Sequence, residues 1–182
     1  MITDTPAELH EADCVILPGV GEASSAMSYL REKELPAVIS SLRQPVLGIC
    51  LGLQLLCQSS EEGDAICLGI FPGKSIRFST DYPIKIPHAG WNQVFYSDNC
   101  KHSIMRGIPQ DSAFYFSHSF YVPMADEKST NSDSDNMVIG TTTHGVTFAS
   151  FLHYNNFYAT QFHPEKSGTI GETLIKNFLN LV

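Results

Sequence analysis

Short continuous apolar runs, punctuated by glycine and proline, set the pattern of the first third of the chain. Residues 14–17 (Cys14-Val15-Ile16-Leu17) and 46–49 (Val46-Leu47-Gly48-Ile49) have the character of parallel strands covered on both faces. Between them Met27 and Leu30, then Val38, Ile39 and Leu42, recur at helical spacing. This predicts a right-handed strand–helix–strand crossover with loop 18–21 and the Cys50 turn at the same end of the sheet, the end where open α/β sheets bind ligands. Upstream, residues 1–3 read as the end of a strand and 5–9 as a short helix with Pro6 at its first position. Downstream of a Leu-rich helical stretch after Cys50 comes a polar loop at 59–63. Short strands are then predicted near 70–78, 91–96, 114–122, 138–143, 148–153 and 158–162. The Asn155-Asn156 turn makes the last two an antiparallel hairpin. Residues 126–136, rich in Ser, Asp and Asn, read as a solvated loop, and 171–181 as a closing helix with Leu174, Ile175, Phe178 and Leu181 on one face. The predicted fold is α/β, an open and mostly parallel sheet flanked by helices with an antiparallel β lobe, in one domain over residues 1–182.

Composition narrows the function classes. Of 182 residues, 43% are hydrophobic and 16% charged, which suits a globular domain able to bury a core. A formal net charge of −8 argues against nucleic acid or an anionic membrane as partner. No apolar run reaches membrane-spanning length and none has the layout of a signal peptide. Five cysteines without regular spacing fit a reducing compartment, so a cytoplasmic location is expected. No Cys/His spacing suggests a zinc site, and no Gly-rich phosphate loop is present, so neither metal nor cofactor is expected.

Two stretches carry candidate chemistry. Gly48-Ile49-Cys50-Leu51-Gly52, between a strand and a helix, is the thiol form of the nucleophile elbow. Gly48 and Gly52 lack a Cβ, so the chain turns sharply there and neighbours pack close. Cys50 is then held at a helix N-terminus, a position that favours the thiolate. The alternative is a small buried cysteine between packing glycines. The second stretch is His163-Pro164-Glu165, directly after an apolar strand. Pro164 biases His163 toward extended backbone, where residues two apart share a side. Glu165 would then accept a hydrogen bond from one ring nitrogen and leave the other facing Cys50. Taken alone, the same residues read as a surface turn.

Together the two stretches resemble the Cys-His-Glu triad of the class I glutamine amidotransferases. Within that family the chain is similar to the glutaminase subunits of imidazole glycerol phosphate synthases. Leu17-Pro18-Gly19-Val20-Gly21 looks like their oxyanion strand, and Pro87-His88-Ala89-Gly90-Trp91-Asn92 resembles their Pro-His-x-Gly-Trp-Asn motif. Tyr115-Phe116-Ser117-His118-Ser119 and the run from Ala159 to Ser167 also match, so the resemblance covers the whole chain. It implies Cys50 as nucleophile, His163 as general acid and base, and Glu165 as its orienter. The backbone N–H of Leu51 would be one oxyanion donor and that of Val20 the other. The glycines flanking Val20 leave its peptide free to reorient, a route by which a partner would gate the hole. Glutamine contacts are implied at Gly52, Gln54, Glu62, Ser117, His118 and Ser119, although Gln54 and Glu62 also read as solvated polar residues. Pro87, His88, Trp91, Asn92, Tyr115 and Lys166 are implied contacts to a (β/α)8-barrel cyclase subunit in a heterodimer; a core tryptophan is the rival reading of Trp91. Cys14, Cys57, Cys67 and Cys100 lack the elbow setting and read as incidental.

The resemblance also carries a departure. The family opens with a strand, a Tyr-Gly-x-Gly-Asn loop and a helix ahead of the segment that resembles 1–13. Their absence implies a chain truncated by about 30 residues, one βα unit, with a gap where an internal strand would lie. Another class I glutaminase, or a hydrolase on the same elbow, is opposed by segments 87–92 and 115–119. A non-catalytic interaction module is the alternative from a different class.

Overall fold

The computed structural model describes residues 1–81, 83–96, 103–124 and 137–182. The loop expected at 126–136 and Cys100 lie outside the described residues. The chain opens with α1 (Pro6–Glu11), β1 (Val15–Leu17), α2 (Ala23–Glu32), α3 (Leu35–Ser41), β2 (Val46–Ile49) and α4 (Leu51–Leu56). There follow β3 (Cys57–Ser60), β4 (Ala65–Ile66), β5 (Phe71–Arg77), β6 (His88–Gln93), β7 (Phe95–Tyr96), β8 (Ala113–His118) and β9 (Phe120–Pro123). The last elements are β10 (Val138–His144), β11 (Val146–Tyr154), β12 (Phe157–Thr160), the 3-10 turn Pro164–Lys166 and α5 (Gly168–Leu179).

The main sheet runs β1-β2-β12-β11-β9-β5-β3-β4, with β10 beside β11 and β7 beside β10. It is a mixed sheet: β1, β2 and β12 are mutually parallel, and β3 runs parallel to β5. The remaining pairings are antiparallel, including the β11–β12 hairpin that turns through Asn155 at φ 54°. The crossover from β1 to β2 is thus present, and so is the antiparallel part. A separate ribbon pairs β6 with β8, with Trp91 opposite Tyr115 and His88 opposite His118. No helix among the described residues is long and apolar enough to cross a membrane.

Strand β2 shows how the sheet divides two cores. Val46 belongs to the core under α1, α2, α3 and α4, together with Met27, Leu30, Ile39, Leu53 and Leu56. Leu47 points the other way, into a core of Phe114, Phe116, Phe148, Phe151 and Phe162 closed by Leu174 and Phe178 of α5. Alternation of side chains across a strand produces this split, and β2 is buried at every position.

Three local expectations change. Residues 1–3 form no strand, and Met1 and Ile2 stand in solvent. Instead the Thr3 hydroxyl accepts the Thr5 N–H at 3.0 Å and donates to the Glu8 carboxylate, so it organises the start of α1 in place of Thr5, whose own side chain makes no cap. Strand β1 is not covered on both sides: it has one strand neighbour, β2, and Ile16 is 40% exposed. Finally, Ser59 and Ser60 belong to β3 rather than to a loop, because the Ser60 hydroxyl is satisfied inside the fold by Ser75 at 2.7 Å. A buried hydroxyl that finds a partner costs little.

Candidate active site

Cys50 sits between β2 and α4 with φ 52° and ψ −100°, a left-handed conformation that a non-glycine residue holds only under external constraint. The constraint is visible. The Cys50 N–H donates to Thr160 O of β12 at 2.7 Å, and the Cys50 carbonyl accepts from Leu53 N at 3.1 Å. A Cβ on Gly52 would come within 2.0 Å of Leu17 O, and one on Gly19 within 2.3 Å of the Leu51 Cβ. Loop 18–21 therefore rests directly on the elbow, and neither glycine tolerates a side chain there.

The helix-terminus argument for a lowered thiol pKa fails on magnitude. Helix α4 has only six residues, and Cys50 is 7% exposed. Burial dominates and pushes the thiol from 9.0 up to about 11, while the Leu51 N–H and the Gln161 side chain pull it back. Burial thus favours the Cys50 thiol over the thiolate. Of the other described cysteines, Cys57 is fully buried and pushed further up by the same cause, and Cys67 is raised to about 11.

His163 and Glu165 meet, but not by strand alternation. His163 is extended, at φ −100° and ψ 93°, and the chain then enters the 3-10 turn Pro164–Lys166. That turn swings the Glu165 carboxylate back to His163 Nδ1 at 2.8 Å. His163 is buried, whereas the Glu165 side chain is 44% exposed. The backbone around the pair is pinned to β8: His163 N donates to Tyr115 O at 2.8 Å, Ser167 Oγ donates to His163 O at 2.6 Å, and Tyr115 N donates to Ser167 Oγ at 2.9 Å.

Cys50 and His163 line one cavity of about 620 Å³. Its wall also includes Val20, Leu51, Gln54, Glu62, Ser117, His118, Ser119, Pro87 and Lys166. Among residues singled out in the sequence, Gly52, His88, Trp91, Asn92, Tyr115 and Glu165 do not line it. Gln54 is 4% exposed, not a solvated residue; its Oε1 accepts from Ser60 and Ser75 at 3.4 and 3.5 Å, which leaves its amide N–H groups for the cavity. The Glu62 carboxylate accepts the Ala23 N–H at 3.0 Å, tying α2 to the cavity wall, and partial burial raises its pKa.

His118 serves structure more than surface. Its Nδ1–H donates to Phe120 O at 2.7 Å, so Nε2 accepts from His88 Nδ1–H at 2.9 Å, and His88 Nε2 accepts from Asn92 at 3.1 Å. The chain of bonds requires both rings neutral, and burial lowers His88 to about 4 and His118 to about 3. His88 is 5% exposed and stacked on His144 at 4.1 Å, so its ring is not available to a partner surface. Trp91 is the reverse: at 59% exposed it is no core residue, and its ring meets Tyr115 edge-on at 6.1 Å. Lys166 Nζ lies 5.9 Å from the Tyr115 ring centroid. Trp91, Tyr115 and Lys166 thus form one surface cluster, of which Lys166 also lines the cavity.

Two residues escaped the sequence reading. Arg77, at the end of β5, lines the cavity and brings it a cation besides Lys166. Gln161 donates to Cys50 Sγ at 3.7 Å. A lone strand-end arginine carries no sequence signal, and Gln161 sat inside the motif read for His163. Among the described residues, no group of three His, Cys, Asp or Glu side chains is arranged to hold a metal.

Comparison with known proteins adds the lineage. The family model for glutamine amidotransferase class-I matches residues 2–181. Imidazole glycerol phosphate synthase subunit HisH of Bacteroides fragilis strain YCH46 is 46% identical over 183 residues, covering 100% of this chain and 86% of that protein. The subunit of the same name from Buchnera aphidicola is 39% identical over 99% of this chain and 86% of its own length. Among solved structures, a glutamine amidotransferase superposes with a TM-score of 0.67 at 16% identity, over 98% of this chain and 84% of its own. The glutaminase domain of Trypanosoma brucei CTPS gives 0.63 at 15% identity, over 96% and 74%. These structures share the α/β fold with its mixed sheet and flanking helices. The whole-chain family match and the 46% identity to a curated relative place this chain in the class I glutamine amidotransferase family.

Proposed function

We propose that the chain hydrolyses L-glutamine to glutamate and ammonia and passes the ammonia to the cyclase subunit of an imidazole glycerol phosphate synthase, in histidine biosynthesis. The carrying observation is a strained cysteine elbow and a carboxylate-paired histidine on the wall of one cavity. His163 takes the Cys50 proton as the sulfur attacks the amide carbon. The tetrahedral oxyanion is held by backbone N–H groups, Leu51 and Val20 being the candidates. Collapse expels ammonia with the proton from His163 and leaves a thioester. His163 then takes a proton from water, which attacks the thioester, releases glutamate and restores the thiol. Glu165 holds the imidazole in one tautomer and supports its charged form. In the cavity, the Glu62 carboxylate suits the α-ammonium of glutamine, and the Gln54 amide N–H groups, Arg77 and segment 117–119 suit its carboxylate.

The partner and the cytoplasmic location are inferences from relatives named as synthase subunits and from the exposed Trp91, Tyr115 and Lys166 cluster. Aromatic side chains flanked by a cation are common interface anchors. The test is ammonia release from glutamine with the cyclase present. Cys50→Ala is expected to abolish it and Cys57→Ala to leave it. A Cys50→Ala chain with near-wild-type turnover defeats the mechanism.

A further inference from the structure

Gln161 is 0% exposed and lies immediately after β12, the strand whose Thr160 carbonyl holds the Cys50 N–H. Its own N–H donates to Ser150 O of β11 at 2.9 Å, so the backbone is fixed between β11 and the elbow. Its carboxamide Nε2 donates to Cys50 Sγ at 3.7 Å, within the longer range that sulfur acceptors use. Gln161 does not line the cavity, so this contact reaches the sulfur from the protein interior, while the sulfur's other hydrogen bond runs to Ser117 O on the cavity wall at 3.8 Å. Its Oε1 is, among the described residues, the one fully buried side-chain N or O atom without a hydrogen-bond partner. Leaving such an acceptor unpaired is a net cost to the fold, and a leucine of similar size would avoid it.

We propose that Gln161 is a catalytic residue: its N–H is the rear donor that holds negative charge on Cys50 sulfur. The proposal rests on the glutaminase reading and adds a group to it. Sulfur carries charge twice in that cycle, when His163 has removed the proton and when the thioester breaks and thiolate departs. A hydrogen bond to an ionised acceptor is about twice as strong as one to a neutral group. The Gln161 N–H therefore favours both charged states over the thiol and the thioester. Burial opposes the thiolate here, and Gln161 is one of two donors that counter it, the other being the Leu51 N–H. The orphaned Oε1 is a cost of aiming the amide nitrogen at the sulfur.

The experiment measures the rate of alkylation by iodoacetamide against pH, with the modified residue located by mass spectrometry, on the full chain with its cyclase. Wild type, Gln161→Leu and Gln161→Glu are compared. The expected result for Gln161→Leu is an alkylation midpoint at Cys50 that lies at higher pH, with the melting temperature little changed. Below the midpoint, alkylation slows about tenfold for each pH step of one by which the midpoint rises. Gln161→Glu, which keeps the volume and places a carboxylate by the sulfur, is expected to move the midpoint at least as far. An unmoved midpoint in either folded variant overturns the inference. The ammonia assay on Cys50→Ala scores the glutaminase reading separately, so failure of one is not mistaken for failure of the other.

Discussion

At the scale of single residues, His163 and Glu165 divide one task unequally. His163 is buried, lines the cavity with Cys50 and is the proposed proton carrier, whereas the Glu165 side chain is 44% exposed and bonds the imidazole. His163→Ala is therefore expected to lower kcat/KM by roughly 10²–10⁴-fold, and Glu165→Ala by less. Assay of both variants with the cyclase present checks this, and equal losses would contradict the division. The residues proposed to carry the chemistry (Cys50, His163, Glu165) could be picked out in the sequence by type and spacing. What was not legible is what the environment does to them. A helix start reads as thiolate-stabilising, yet burial outweighs it and leaves a thiol near 11. His88 sits in a motif that reads as a contact surface, yet its ring is consumed by a hydrogen-bonded relay to His118. Burial depends on the whole packing around a residue, and no local pattern reports it.

At the scale of elements, close approaches between segments far apart in the chain hold the site. Gly171 in α5 faces Pro164, and a Cβ there would lie 1.9 Å from the Pro164 carbonyl oxygen. Gly171→Ala is thus expected to push α5 away from the turn that carries Glu165. It should cost about 1–3 kcal/mol of stability, the usual range for overpacking, and lower kcat/KM without any change to a reacting group. A thermal melt and the ammonia assay measure the two effects, and a variant that keeps both values contradicts the account. The crossover from β1 to β2, the hairpin at Asn155 and the closing helix were readable from periodicity and turn residues. The Pro164–Lys166 turn was not, because the same three residues also suit extended chain. The serines of β3 were missed because a polar pair that satisfies itself in the core looks like loop in a sequence.

For the whole molecule, the buried titratable groups set a window of stability. His88 and His118 fall from 6.5 to about 4 and about 3 in the fold, so the stability they confer is complete above 6.5 and lost as pH drops through those lower values. Cys50 and Cys67 rise from 9.0 to about 11, so their contribution is complete below 9.0 and lost as pH climbs through about 11. The melting temperature is expected to be level from about pH 6.5 to 9 and to fall on both sides. Melts across that range check it; a fall confined to one side would contradict it. The pairing of β2 with β12 has a consequence in time. Val46 lies against Phe157, and Cys50 hangs from Thr160. A ribosome adds roughly 5–20 residues per second, so many seconds separate synthesis of Cys50 from arrival of the strand that holds it and of His163. On the proposed mechanism, the growing chain carries an unarmed thiol until β12 docks. Stalled ribosomes bearing residues 1–150 should accordingly fail to react with a glutamine-like chloroketone, and the released full chain should react at Cys50.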